Sequence, residues 1–470
     1  MFLNIFTKGK LFNTIIVLFI SLHGLSQSQQ LIQYTTTADK RLLFHKSIIG
    51  PINSPSAKIS NTIIKVNPAQ HFQKMEGYGY AFTGGTAKLI HELPALQQDT
   101  LLREIFGNEI AALQVSYIRV SMGASDLDEA VFSYCDLPKG ETDAALAHFT
   151  LSYDTLHLIP LLKKAIGIQP HLKIIASPWS APNWMKTNGA SIGGHLDQKY
   201  YGVYAQYFVK YIKSMQANGI RISGVTIQNE PEHGGNNPSM LMDAMEQTVF
   251  VRDYLGPAFK AANISTEIVI WDHNADHPNY PITVLNDAKA KSFITAAAFH
   301  MYLGDELALK QLHDQHPDKK IYFTEQWTGA KGDFDGDFMW HLEHIVIGTI
   351  NNWSSMVLEW NLAADANYAP HTPGGCTECK GAFTIQNNQI TKNVSYYIIG
   401  QIAKYVPAGS IRIGVEINDP SIKTTAFVLP NGKHALLALN TDKEKEITIV
   451  MGAKKYAIHL PTKSAATLIW

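Results

Sequence analysis

Eight short apolar runs, set between longer amphipathic stretches from residue 76 to about 400, constrain this chain more than any other feature. They cover residues 77–82, 116–122, 172–177, 224–229, 267–272, 296–301, 320–325 and 355–360. Helical patterning fills the intervals, as at 200–217 and 240–262. Such alternation marks an α/β protein. Eight β/α units over roughly 320 residues fit a (β/α)8 TIM barrel with some loop insertions. A doubly wound open sheet is the rival, but no Gly-rich phosphate turn follows the first run.

The places where the apolar runs stop carry the chemistry. Polar or aromatic residues cluster there: Ser177-Pro178-Trp179, Asn229-Glu230-Pro231, Asp272-His273-Asn274, His300-Met301-Tyr302, Glu325-Gln326-Trp327 and Glu359-Trp360-Asn361. One or two such sets could be helix caps or turns. Six sets at strand ends of a barrel converge on one face, where the active site of that fold lies.

The chain ends read differently. Lys8 and Lys10 precede an apolar run from Leu11 to Leu22, and small residues follow at Gly24, Ser26 and Ser28. The run is short for a bilayer span and has the layout of a cleaved export signal, assigned to residues 1–28. This predicts an exported protein, periplasmic or extracellular, with no membrane span after cleavage. Beyond residue 401 short alternating runs appear at 411–417, 424–429, 435–439, 446–451 and 466–470, with Pro430-Asn431-Gly432 as a turn between two of them. They predict a small all-β sandwich over 401–470. It is joined by strands from 46–75, where 62–66 pairs with it, while the barrel occupies 76–400.

A net charge of −1 lacks the basic excess of a protein that tracks nucleic-acid phosphates. Three cysteines imply no disulfide scaffold. Cys376 and Cys379 form a C-x-x-C in a Gly-rich loop and can close a short disulfide after export; a zinc site would need two further ligands, and none is suitably spaced. His341 and His344 share a helix face without a third ligand, and Asp333, Asp335 and Asp337 lack the glycine of a calcium loop, so no metal is expected.

Hydrolysis of a glycosidic bond requires two carboxyl groups flanking one sugar carbon. Candidates at strand ends are Asp126, Glu230, Glu232, Asp272, Asp305, Glu325 and Glu359. Glu230 and Glu325 end clean runs, the fourth and the seventh, and face each other across a closed ring of eight. Asn229 adds an amide able to bond a sugar 2-hydroxyl, a contact that strengthens in an oxocarbenium-like transition state. The expected catalytic pair is Glu230 and Glu325; whichever acts as the acid/base is expected to have its pKa raised by the other, ionised carboxylate. Two carboxylates and water suffice, so no cofactor is expected.

The sequence resembles glycoside hydrolase family 30, the glucosylceramidase group among the barrel glycosidases, over nearly the whole mature chain. The resemblance rests on Gly77-Tyr78-Gly79, on Ile118-Arg119-Val120-Ser121-Met122, and above all on Ser177-Pro178-Trp179 running on to Trp184-Met185-Lys186. Gln228-Asn229-Glu230-Pro231, His300-Met301-Tyr302, Thr324-Glu325 and Trp360-Asn361-Leu362 complete it. It implies that Glu230 is the acid/base and Glu325 the nucleophile. Asp126, Trp179, Asn229 and Trp360 would hold the sugar, and Tyr302 would place its hydroxyl beside the nucleophile. Arg119 would keep Glu325 ionised, with His300 and Asn361 in support.

The loops after Glu230 and Trp360 depart from the human-type glucosylceramidase pattern and are similar to the β-1,6-glucanase branch. Two readings of the same class therefore stand: a glucosylceramidase-like β-glucosidase first, and an endo-β-1,6-glucanase or an exo-enzyme on xylosides or fucosides second. A catalytically dead carbohydrate-binding barrel is the reading of a different class, and the presence of both carboxyls and Asn229 opposes it. The expected partner is a β-glucoside, whether oligosaccharide, glucan or glycolipid.

Overall fold

All eight apolar runs become parallel strands of one closed barrel: β1 (Gly77–Ala81), β2 (Tyr117–Ser121), β3 (Lys173–Ser177), β4 (Gly224–Thr226), β5 (Glu267–Asn274), β6 (Ile294–His300), β7 (Lys320–Glu325) and β8 (Ser354–Glu359). Their order around the ring is the order of the chain, with β8 closing onto β1. The computed structural model describes residues 30–52 and 59–470, so the export signal expected at 1–28 lies outside the described residues. Strands buried on both faces need apolar side chains inward and outward, which is why they read as unbroken runs. Tyr117, Ile175, Val269, Ala296, Ala298, Tyr322, Met356 and Leu358 fill the barrel interior. Gly79 is there for space: a Cβ on it would lie 1.9 Å from the Tyr117 carbonyl of β2.

β4 is shorter than the predicted 224–229. Its ladder ends at Thr226, and Asn229 and Glu230 are held instead by bonds to neighbouring strand ends: Asn229 N to Pro178 O at 2.8 Å and Glu230 N to Asp272 O at 3.0 Å. The helix predicted over 240–262 starts later. It is capped at Asp243 by a capping box with Glu246, and it widens to a π turn over Phe250–Leu255 before finishing at Ala261.

Among the described residues, nine strands from both chain ends form one hydrogen-bonded sheet that folds over a core of Leu31, Ile64, Ile413, Leu436, Ile449, Tyr456 and Leu468. The N-terminal share begins at Leu31–Thr37, upstream of the predicted 46–75 segment, and continues in His45–Ile49 and Thr62–Lys74. Thr62–Lys74 lies between Ile411–Ile417 and Lys445–Met451. Lys454–Leu460 is a strand the sequence reading passed over; it turns back on Lys445–Met451 and buries Tyr456, Ile458 and Leu460 on alternate positions. No helix among the described residues is long and apolar enough to cross a membrane.

Candidate active site

The C-terminal ends of the barrel strands meet around a cavity of about 310 Å³, lined among others by Asp126, Trp179, Glu230, Tyr302, Glu325 and Trp360. That volume lies in the range of small-molecule sites. At its base Arg119 projects from the middle of β2, wholly buried, with its guanidinium shared among four acceptors. Nη1 donates to Glu325 Oε2 at 2.5 Å; Nη2 donates to Asn229 Oδ1 at 2.6 Å, to Asp272 Oδ2 at 2.8 Å and to Ser177 Oγ at 3.1 Å. Arginine has only donors, so the Asn229 carbonyl must face it. The Asn229 amide NH2 is thereby left to serve a ligand.

Glu325 closes β7. Its second oxygen accepts from the Tyr302 hydroxyl at 2.9 Å. Glu230 stands beyond β4 with φ of 46°, in the left-handed region that costs a non-glycine residue energy; Trp271, Asp272 and Asn361 are also at positive φ. Strain of this kind gathers at the mouth because the strand ends are over-determined by bonds to one another. His300 links the two glutamates. Its Nδ1 lies 3.2 Å from Glu230 Oε1 and 3.8 Å from Glu325 Oε1, while Nε2 lies 3.2 Å from Asp272 Oδ1. The two glutamate oxygens can be no further apart than the sum of the two Nδ1 distances. That limit excludes most of the span of about 6.5–9.5 Å found in inverting glycosidases.

Burial opposes a charge on His300, but the carboxylates of Glu325, Asp272 and Glu230 outweigh it and push its pKa up to about 9. Burial likewise opposes charge on Asp272, yet Arg119 and His300 hold it well below the usual carboxylate range. Burial, helped by the charge of Glu325, raises Asp126 to about 7. Burial raises both glutamates, but at Glu230 the hydrogen bond and charge of His300 prevail and lower it, whereas Glu325 stays raised against His300 and Arg119. This differs from the sequence expectation of a raised Glu230. The physical reason is His300, which in the ligand-free site carries the proton one hydrogen bond away from Glu230.

Trp179 and Trp360 stack at 5.6 Å, and Trp179 covers the Arg119 guanidinium at 4.7 Å. Asp126 is buried, with Oδ2 accepting from Cys376 N at 3.2 Å. Cys376 and Cys379 are joined in a disulfide that forms part of the cavity wall. Gly375 passes so close that a Cβ on it would lie 2.3 Å from the Asp126 carbonyl. Of the residues named from sequence, only Asn361 is turned away: its Oδ1 accepts from Thr86 Oγ1 at 2.9 Å and braces the first barrel helix. The other carboxyls weighed are also accounted for elsewhere. Glu359 is buried against His341 Nδ1 at 2.7 Å, Glu232 pairs with His277 at the surface, and Asp305 bonds the Leu307 N–H.

His233, Asn236, His273, Asn274 and Trp327 also line the cavity, though none stands among the individual site residues expected from sequence. His273, Asn274 and Trp327 belong to strand-end clusters visible in the sequence; His233 and Asn236 lie in the loop after Glu230, whose departure from the glucosylceramidase pattern pointed to the leaving-group side.

Residues 75–406 match the glycosyl hydrolase family 30 TIM-barrel domain, and residues 409–468 match the β-sandwich domain of the same family. The chain is similar to an endo-1,6-β-D-glucanase of Aspergillus fumigatus, 33% identical with 85% of each chain covered. A solved endo-β1,6-glucanase superposes with a TM-score of 0.86 at 34% identity, covering 94% of this chain and 99% of the other. The lysosomal acid glucosylceramidase of Mus musculus is 27% identical, with 81% of this chain and 78% of that protein covered.

Proposed function

The chain belongs to glycoside hydrolase family 30, and from that premise we propose that it is an exported, retaining endo-β-1,6-glucanase. The polar rim on the leaving-group side carries this reading. His233, Asn236, His273 and Asn274 face the cavity there, with Trp327 as the one added aromatic. Groups of this kind donate and accept hydrogen bonds and suit a hydroxyl-bearing leaving group better than a lipid. The two relatives at 33% and 34% identity are named for β-1,6-glucan cleavage, against 27% for the glucosylceramidase. The order of the two sequence expectations is therefore reversed. Export rests on Lys8, Lys10 and the apolar run that follows.

In the proposed reaction the Trp179–Trp360 pair and Asp126 hold the sugar, and the free Asn229 amide takes its 2-hydroxyl. Glu325, oriented by Arg119 and Tyr302, attacks the anomeric carbon as Glu230 protonates the departing oxygen, leaving a glycosyl–Glu325 ester. Glu230 then takes a proton from water, which cleaves the ester with net retention. His300 lies within reach of Glu230 Oε1 to supply its proton before attack.

The test compares kcat/KM on β-1,6-linked gluco-oligosaccharides and on detergent-dispersed glucosylceramide, with the product profile on β-1,6-glucan. Faster turnover of the oligosaccharides and early release of oligomers are expected. A preference for the lipid, or glucose as the sole early product, refutes the endo-glucanase reading and leaves the glutamates untouched.

A further inference from the structure

His273 lies on the polar rim and takes no part in the bond-breaking steps above. It is 7% exposed, and its Nδ1 is buried without a hydrogen-bond partner. That nitrogen lies 3.7 Å from Glu230 Oε1, the same oxygen that His300 Nδ1 approaches to 3.2 Å. All three ligand atoms fall within 4.8 Å of one another. Zinc bonds nitrogen and oxygen at about 2.0–2.2 Å, and a tetrahedron of such bonds has edges of about 3.3 Å. Two of the three edges here are already near that value, and small side-chain rotations close the third.

The surroundings complete the pattern. Asp272 holds the far nitrogen of His300 at 3.2 Å, the carboxylate–histidine arrangement that orients a metal-bound imidazole. Glu230 and His273 border the cavity, so the fourth corner opens on solvent. Two imidazoles and one carboxylate suit zinc or copper; calcium and magnesium call for oxygen ligands.

We propose that Glu230, His273 and His300 form a three-ligand site for a borderline transition-metal cation, zinc first among them, and that its occupation inhibits the enzyme. On binding, His300 releases its Nδ1 proton to solvent and the metal takes Glu230 Oε1, the atom that would serve the glycosidic oxygen. The inhibitory half rests on the role proposed for Glu230; the binding half does not.

Calorimetric titration of zinc chloride into the untagged, chelator-treated full chain is the test, alongside its His273→Gln and Glu230→Gln variants, with each fold checked by melting temperature. One zinc per chain is expected, at least about tenfold weaker in either variant. Zinc should also raise the apparent KM for an aryl β-glucoside in the wild type. If one variant does not fold, the other decides. Absence of binding at millimolar zinc, or binding of equal strength in the folded variants, overturns the site. Binding that depends on His273 and Glu230 but leaves kcat/KM unchanged overturns the inhibitory half and counts against Glu230 as acid/base. It leaves the substrate reading where the oligosaccharide comparison puts it.

Discussion

Replacing Asp272 by Asn probes the charge network beneath the two glutamates. Asp272 has no solvent exposure and accepts four bonds: from Arg119 at 2.8 Å and Ser177 at 2.7 Å on Oδ2, and from Thr324 at 2.7 Å and His300 at 3.2 Å on Oδ1. Asn offers one oxygen where the carboxylate offers two, so its NH2 must face a pair of donors. Arginine cannot become an acceptor, whereas His300 can, by giving up its Nε2 proton. The amide therefore turns toward His300, His300 becomes neutral, and Arg119 loses the buried carboxylate on Nη2 and keeps Glu325 as its counter-ion. Breaking a buried pair in this way costs about 3–5 kcal/mol. Loosening the Arg119 clamp on Glu325 should lower kcat by about 100-fold, the scale of a 1 Å misplacement, with a smaller effect on KM. Denaturant unfolding gives the first number and steady-state kinetics on an aryl β-glucoside the second. A variant within about 1 kcal/mol of wild type, the level of a typical neutral hydrogen bond, would mean that Asp272 is not the counter-ion of Arg119. Equal loss in KM and none in kcat would mean that it does not position Glu325.

Glu325→Gln should keep the fold, since Arg119 retains Asp272, yet lose turnover by at least about 10⁴-fold; a fluorinated glucoside should label Glu325 in the wild type, and mass-spectrometric labelling at another carboxyl would refute the assignment. Glu230→Ala should suffer least on substrates with good leaving groups and recover with azide as a β-glycosyl azide; an α-azide would show inversion. Asp154, buried with Tyr134 donating to it at 2.6 Å, is raised to about 7 chiefly by burial. The folded state thus holds a proton that the unfolded chain has already lost between pH 4 and 7, and its stability falls as pH rises through that window. Asp154→Asn cannot titrate, so between pH 4 and 8 its stability relative to wild type should improve by up to about 4 kcal/mol, at about 1.4 kcal/mol per unit; a constant difference across unfolding curves at the two pH values would refute the shift.

The barrel was legible because each strand carries its own signal. β1 to β8 are buried on both faces, so apolar runs mark them without help from the rest of the fold. The sandwich strands that escaped notice lack that property. Leu31–Thr37 reads LIQYTTT, and its threonines are buried only because Ser464–Ile469 and His45–Ile49 flank it. Lys454–Leu460 alternates its buried positions with Lys455, Ala457 and His459. In the site, Glu230 and Glu325 were readable from position, since a residue at a strand end in a barrel has one face to look onto, whereas Arg119, in mid-strand, and Tyr302 were placed by the family resemblance. Asn361, expected in support of the site, has φ of 60° and turns its side chain to Thr86, a direction that spacing cannot show.

The two halves of the site have different physical supports, and the seam between them bears on how such an enzyme changes substrate. Arg119, Asp272, His300 and Glu325 are held by strands and by one another. The rim is held by loop contacts. Residues 372–379 run from Thr372 N, bonded to Asp126 O at 2.9 Å, past Pro373 O, which accepts from Asn237 Nδ2 at 2.8 Å in the loop after Glu230, to Cys379, whose strand pairs with Thr328–Gly329 just beyond Glu325. One short disulfide-closed loop thereby ties the Asp126, Glu230 and Glu325 loops together. Asp126, which we propose holds the sugar, has its Oδ2 fixed by Cys376 N on the rim. A change of leaving-group specificity that rebuilds this loop must find Asp126 another donor, or the grip on the sugar weakens with it. The strand-borne network has no such dependence. Charge and attack can therefore stay constant while the leaving group varies, whereas the affinity for the sugar should shift whenever the rim does.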